Sequence, residues 1–155
     1  MPGTDTCRRK MSEKDFRRWI TTNAPSDWLM QPIETATGNG VPDLFICHDG
    51  CSCWAELKSS ASPHCYMRIS QWRWFHKLTS RGGFALLIIK REKQKRVDVY
   101  KATDLTRYNA ADCILKGEDI IFPPNTKVSF SYKLGSGNKR FFEDLDNLLQ
   151  NEYED

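Results

Sequence analysis

The chain has 155 residues, 39% apolar and 28% charged, which describes an ordinary globular domain able to bury its own core. No apolar run approaches the ~18 residues a membrane span needs, and the polar N-terminus lacks the apolar segment of a signal peptide, so an intracellular protein is expected. Net charge is +3, yet residues 141–155 carry six acids and no base, leaving 23 bases against 14 acids in the first 140 residues, an asymmetry suited to a polyanionic partner.

Residues 1–10 read as a flexible leader ending in Arg8-Arg9-Lys10. A helix is predicted from Ser12 as N-cap, with Asp15 at its third position and Phe16, Trp19 and Ile20 at core-facing spacing. Glu13 lies on the first turn, where the helix dipole itself favours an acid. Arg17 and Arg18 fall on the exposed side, placed to meet phosphates. Thr21 to Asp27 is a loop broken by Pro25, and Trp28 to Thr37 a first strand with Met30 and Ile33 inward and Glu34 solvated. Gly38-Asn39-Gly40 lets the backbone turn tightly and approach a ligand without side-chain obstruction.

Val41 to His48 and Cys51 to Leu57 are strand-like runs joined by Asp49-Gly50, a pair suited to the two positive-φ positions of a type I′ turn. Counting outward from that turn sets His48 opposite Cys51 and Asp43 opposite Glu56, and period-2 alternation puts Lys58 on the face of Glu56. Carboxylates ~5 Å apart on one sheet face repel. Either Lys58 or a divalent cation between them offsets that repulsion; on a solvated face, two exposed acids and a lysine cost little. Cys47, His48, Cys51 and Cys53 cluster here, but without paired CxxC spacing, and Cys47 and Cys53 point to opposite faces, so buried thiols are expected rather than a zinc site.

Ser59 to Cys65 reads as a polar link containing His64, a solvated loop histidine. Ile69 to Arg81 is a helix capped by Ser70 and stopped by Gly82-Gly83. Phe75, Leu78 and one of Trp72 and Trp74 pack inward, leaving the other tryptophan exposed, while Arg68, Arg73 and Lys77 line up for phosphate contacts. Phe84 to Ile89 is a continuous apolar run, read as a central strand parallel to an earlier one, and Val97 to Lys101 returns antiparallel after a charged turn. Beyond residue 102 come a short helix over Thr103 to Asn109, short strands over Ile120 to Phe122 and Lys127 to Tyr132, and a glycine-serine linker, Leu134 to Asn138. A final amphipathic helix, Phe141 to Leu149, packs on the core or serves a dimer interface.

Pro42-Asp43, a twelve-residue gap, then Glu56-Leu57-Lys58 resembles the signature of PD-(D/E)XK nucleases, and the longer string of GNGVPDL, AELK, Gln71 and Gly82-Gly83 resembles the VRR-NUC branch and Holliday junction resolvase-like enzymes. The resemblance spans roughly residues 10–100 and implies an α/β mixed-sheet, restriction-endonuclease-like αβββαβ core over 11–102, with 103–155 as a C-terminal extension packed on it in the same domain. It implies a structure-specific DNA endonuclease that uses Mg²⁺, with Mn²⁺ as substitute, to hydrolyse phosphodiester bonds in branched DNA, working in the cytoplasm or at the nucleoid. Asp43, Glu56 and the carbonyl of Leu57 would hold the metal. Lys58 would orient water or stabilise charge, with Glu13 and Gln71 assisting from flanking helices. A homodimer is implied as well. An exonuclease or restriction-type activity on the same fold, or a non-catalytic nucleic-acid-binding module, are the competing readings.

Overall fold

In the computed structural model, which describes residues 12–34 and 40–154, Asp49 and Gly50 have φ of 50° and 78°, so the predicted turn closes. Helix α1 (Glu13–Asn23) leads through β1 (Leu29–Pro32) into the hairpin of β2 (Leu44–His48) and β3 (Cys51–Ser60). Then follow β4 (Tyr66–Arg68), α2 (Ile69–Thr79), β5 (Ala85–Arg91), β6 (Arg96–Lys101), α3 (Ala102–Thr106), β7 (Ile114–Lys116), β8 (Asp119–Ile121), β9 (Phe130–Lys133) and α4 (Asn138–Tyr153). The six-stranded main sheet has the order β1-β2-β3-β5-β6-β9, with β3 and β5 parallel and the other neighbours antiparallel. It is a mixed sheet in an α/β fold, and α1-β1-β2-β3-α2-β5 follows the expected αβββαβ order, interrupted only by β4.

The sheet carries a core on each face. One cluster joins Leu44, Ile46, Leu57, Leu86 and Ile88 to Phe16 and Ile20 of α1 and to Phe141, Phe142, Leu145 and Leu149 of α4. The other joins Leu87 and Ile89 to Phe75 of α2, Leu105 of α3, and Met67 and Ile120 of a second, three-stranded sheet ordered β4-β8-β7. Ser12 caps α1, its hydroxyl accepting the Asp15 amide at 3.1 Å as predicted. The terminal helix packs on the core, so its apolar face is spent within the chain. His48 joins it there: Nδ1 lies 2.7 Å from Asp146 of α4, Nε2 lies 3.0 Å from Asp27, and the ring stacks on Trp28 at 4.3 Å.

Several expectations need correction. The helix α2 starts at Ile69 as expected, but its capping residue is Arg68, not Ser70: Gln71 reaches back so that its Oε1 accepts the Arg68 amide at 2.9 Å. The supposed link from Ser59 begins with two strand residues of β3, Ser59 and Ser60, because parallel pairing with β5 continues to Ser60↔Arg91. Neither tryptophan of α2 is an open platform: Trp72 donates to the Leu105 carbonyl at 3.4 Å and Trp74 packs edge-on against Trp54 at 5.5 Å. The second strand begins at Leu44 rather than Val41, and α4 extends over Asn138–Tyr153, absorbing part of the supposed linker. The leader, together with Gly38 and Asn39, lies outside the described residues.

Candidate functional site

The β2–β3 ladder runs from His48↔Cys51 to Leu44↔Ala55, and one further step in the same register aligns Asp43 with Glu56. Asp43 stands just beyond the strand, where its Oδ2 accepts the Leu57 amide at 3.1 Å. A strand residue projects its N–H and C=O toward the same neighbour, so the Leu57 carbonyl is directed to the Asp43 side as well. Glu56 and Lys58 pair with Leu87 and Ile89 of β5, which places both on the α2 side of the sheet.

Burial makes these charges costly. Glu56 is 1% and Lys58 5% exposed. Lys58 Nζ lies 3.6 Å from Glu56 Oε2, beyond ordinary hydrogen-bonding distance, and Glu56 Oε1 is buried with no hydrogen-bond partner. Burial pushes the Glu56 carboxyl well above its ordinary range, Asp43 beside it pushes the same way, and Lys58 opposes both. Glu13, at the start of α1, is also raised, chiefly by the surrounding protein and secondarily by Asp43, against the charges of Lys58 and Arg68. Two acids, one lysine and a third acid therefore sense one another's charge.

Glu13 and Asp43 line one of three clefts, the other two being bordered by α2, the end of β3 and the small sheet. One of about 230 Å³ is lined by Glu13, Lys14, Arg17 and Asp43. A second, about 460 Å³, is lined by Arg68, Ser70, Arg73 and Glu118, and a third, about 440 Å³, by Ser60, His64, Tyr66 and Lys116 among others. Arg18 and Lys77 are exposed, while Arg17 is half-buried with a guanidinium nitrogen 4.0 Å from Glu34, so it is less free than its helical position suggested. Glu34 itself is solvated as expected, its side chain 85% exposed. Gln71, the third residue of α2, has its side-chain carbonyl oxygen committed to the amide of the capping Arg68.

Gly40 has φ +84°, and a Cβ there would lie 2.1 Å from the Ser70 carbonyl oxygen. Its bare backbone is needed against the first turn of α2 rather than against a ligand. That contact holds the loop before Asp43 to the helix that carries Gln71.

Sequence reasoning missed the Lys116–Asp119 segment and Tyr66, because three-residue strands have no legible periodicity. The cue present was Lys116-Gly117-Glu118-Asp119 between two apolar pairs, a turn signal.

Among the described residues no three His, Cys, Asp or Glu side chains converge to hold a metal, at the cysteines or here. The donor set nonetheless suits Mg²⁺, which takes one or two carboxylates and keeps several waters. Two carboxyls in contact, a carbonyl on the same side and an orphaned buried carboxylate oxygen provide it.

No protein-family model matches the chain, and no curated protein matches it. Among solved structures, Hjc, a Holliday junction resolvase from Archaeoglobus fulgidus, is similar at 10% identity with a TM-score of 0.46, covering 71% of this chain and 86% of that one. No helix among the described residues is long and apolar enough to cross a membrane.

Proposed function

We propose that this protein is a Mg²⁺-dependent endonuclease that hydrolyses phosphodiester bonds in branched DNA, with residues 11–102 as its nuclease core and 103–155 as an extension completing it. The observation that carries this reading is the buried pair of Glu56 and Lys58 beside a half-buried Asp43, with one Glu56 carboxylate oxygen lacking a hydrogen-bond partner and Asp43 lining a cleft with Glu13, Lys14 and Arg17. An unsatisfied buried carboxylate costs stability on its own, and a site that binds a cation recovers that cost on loading.

Asp43, Glu56 and the Leu57 carbonyl would hold the ion. When bound, it supplies Lewis acidity and a lowered pKa for water beside the phosphate. The chain's own part is positioning. Lys58 places a buried ammonium where negative charge grows on the phosphoryl oxygens, and its low exposure means that little solvent weakens the effect. Glu13, raised in pKa at the lip of the small cleft, is placed to accept a proton from attacking water. Gln71 fixes the α2 terminus, so that Arg68 and Arg73, with Lys77 beyond, face the phosphate backbone, and Arg17 and Arg18 approach it from α1. Two-fold symmetry of a four-way junction suits a homodimer of such sites.

The test is incubation with labelled four-way junction, flap, single-stranded and linear duplex DNA, with and without Mg²⁺ or Mn²⁺. Cleavage of branched substrates ahead of linear duplex is expected. Absence of cleavage of every substrate under both ions overturns the enzyme reading.

A further inference from the structure

The three-stranded sheet presents one face to the core and one outward. Met67 and Ile120, paired across β4 and β8, are fully buried. Alternation therefore turns Tyr66 and Arg68 of β4, Asp119 and Ile121 of β8, and Ile114 and Lys116 of β7 to the other side. The registers assemble them into two rows. Tyr66 pairs with Ile121, which pairs with Ile114; Arg68 pairs with Asp119, which pairs with Lys116. An apolar row with one aromatic ring thus lies beside a charged row carrying a surplus of one positive charge. Ile114 is 64% exposed, unusual for an isoleucine in a strand.

This face adjoins the proposed catalytic group on two sides. Arg68 is close enough for its charge to act on Glu13. Ser60, on the wall of the 440 Å³ cleft with Tyr66 and Lys116, is two residues beyond Lys58 on the same strand face, roughly 6.6 Å away. His64 and the Ser62 backbone close the cleft, where Arg91 fixes the loop by donating to the Ser62 and His64 carbonyls at 3.1 and 2.5 Å.

We propose that the outward face of this small sheet is a platform for an unpaired nucleotide of the DNA, next to the scissile phosphate. Its base lies over Tyr66, Ile121 and Ile114 and its phosphates meet Arg68 and Lys116. The inference rests on the nuclease reading and adds its specificity: the platform takes a base free to leave its stack, so branched or frayed DNA is held in preference to continuous duplex. A base offers a π-face to the ring and the isoleucines, and the flanking cations match the backbone charge. Asp119, between the two cations, keeps the row from binding duplex on charge alone.

The experiment measures binding of a single-stranded oligonucleotide and a flap duplex, each with one 2-aminopurine in its unpaired segment, in chelator so that nothing is cut. Wild-type protein should quench the 2-aminopurine. Tyr66→Ala should weaken binding about tenfold and lose the quench, and Tyr66→Phe should keep both. Ile114→Ser, at an exposed position that cannot disturb the core, should weaken binding about threefold. Lys116→Ala should lower the slope of log K against log salt by about 0.7–1. Unchanged binding in both Tyr66→Ala and Ile114→Ser, with wild-type protein still cutting DNA, overturns the platform alone. Quenching that depends on Tyr66 without cleavage under Mg²⁺ or Mn²⁺ overturns the nuclease reading and leaves the platform standing; failure to bind any DNA overturns both.

Discussion

Replacing Glu56 by glutamine separates what the carboxylate does for the fold from what it does for chemistry. The folded protein holds the Glu56 proton more tightly than the unfolded chain does, because burial and Asp43 raise its pKa from 4.5. By linkage the folded state binds more protons, so this group lowers stability as pH rises above 4.5, until the folded pKa is passed. At pH 7 the cost is bounded by the roughly 2.5 pH units between the ordinary value and neutrality, or about 3 kcal/mol. Glutamine removes that cost but leaves Lys58, 5% exposed, without the carboxylate 3.6 Å away. A net gain of about 1–2 kcal/mol is expected in metal-free protein at pH 7, near 5 °C in melting temperature for a chain of this size. The gain should shrink toward zero as pH falls to 4.5. Magnesium reverses the order: a hundredfold excess over its dissociation constant stabilises wild type by about 2.7 kcal/mol, whereas the variant gains little and loses about a thousandfold in cleavage. Calorimetric melts from pH 4.5 to 8, with Mg²⁺ and with chelator, measure both effects. A variant that melts lower than wild type without metal at pH 7, or that keeps the full Mg²⁺ increment, refutes the argument.

Lys58→Ala should abolish cleavage while the Mg²⁺-induced rise in melting temperature persists, since the ammonium acts on developing charge; loss of the rise would instead make Lys58 a structural residue. Gly40→Ala should cost about 2–3 kcal/mol in urea unfolding and reduce cleavage, because it combines φ +84° with a Cβ 2.1 Å from the Ser70 oxygen. The His48 imidazole is raised in pKa by Asp27 and Asp146 against the effect of its burial. Stability from those contacts is therefore full below pH 6.5 and lost as pH rises through the folded value. Asp146→Asn should accordingly destabilise by about 1 kcal/mol at pH 6 and much less at pH 9, as followed by urea titration. Arg91→Ala should cost about 3–5 kcal/mol, since Asp98, 1% exposed and bonded at 3.1 Å, loses one of its two guanidinium partners; a loss below 1 kcal/mol would show that Arg96 and Ser131 suffice.

What the amino-acid sequence determines by itself is local. Asp49-Gly50 sets a turn with positive φ at both positions, and from it the register of two strands follows by counting, down to Leu44 opposite Ala55, with Asp43 one position beyond the ladder. Ser12 caps its helix from three residues away, and the apolar run before Ile89 has the composition of a central strand. Each of these rests on contacts a few residues apart or on a periodic pattern.

Tertiary structure decides the rest. Glu56 and Lys58 are buried where β3 pairs with β5, distant in sequence, and burial turns an ordinary glutamate into one with a raised pKa and an unsatisfied oxygen. The cap of α2 moved because Gln71 competes with Ser70 through a side-chain bond that composition does not rank. Tyr66, Ile114 and Lys116 are scattered over fifty residues in runs too short to show alternation. Only the pairing of three brief strands sets them in two rows.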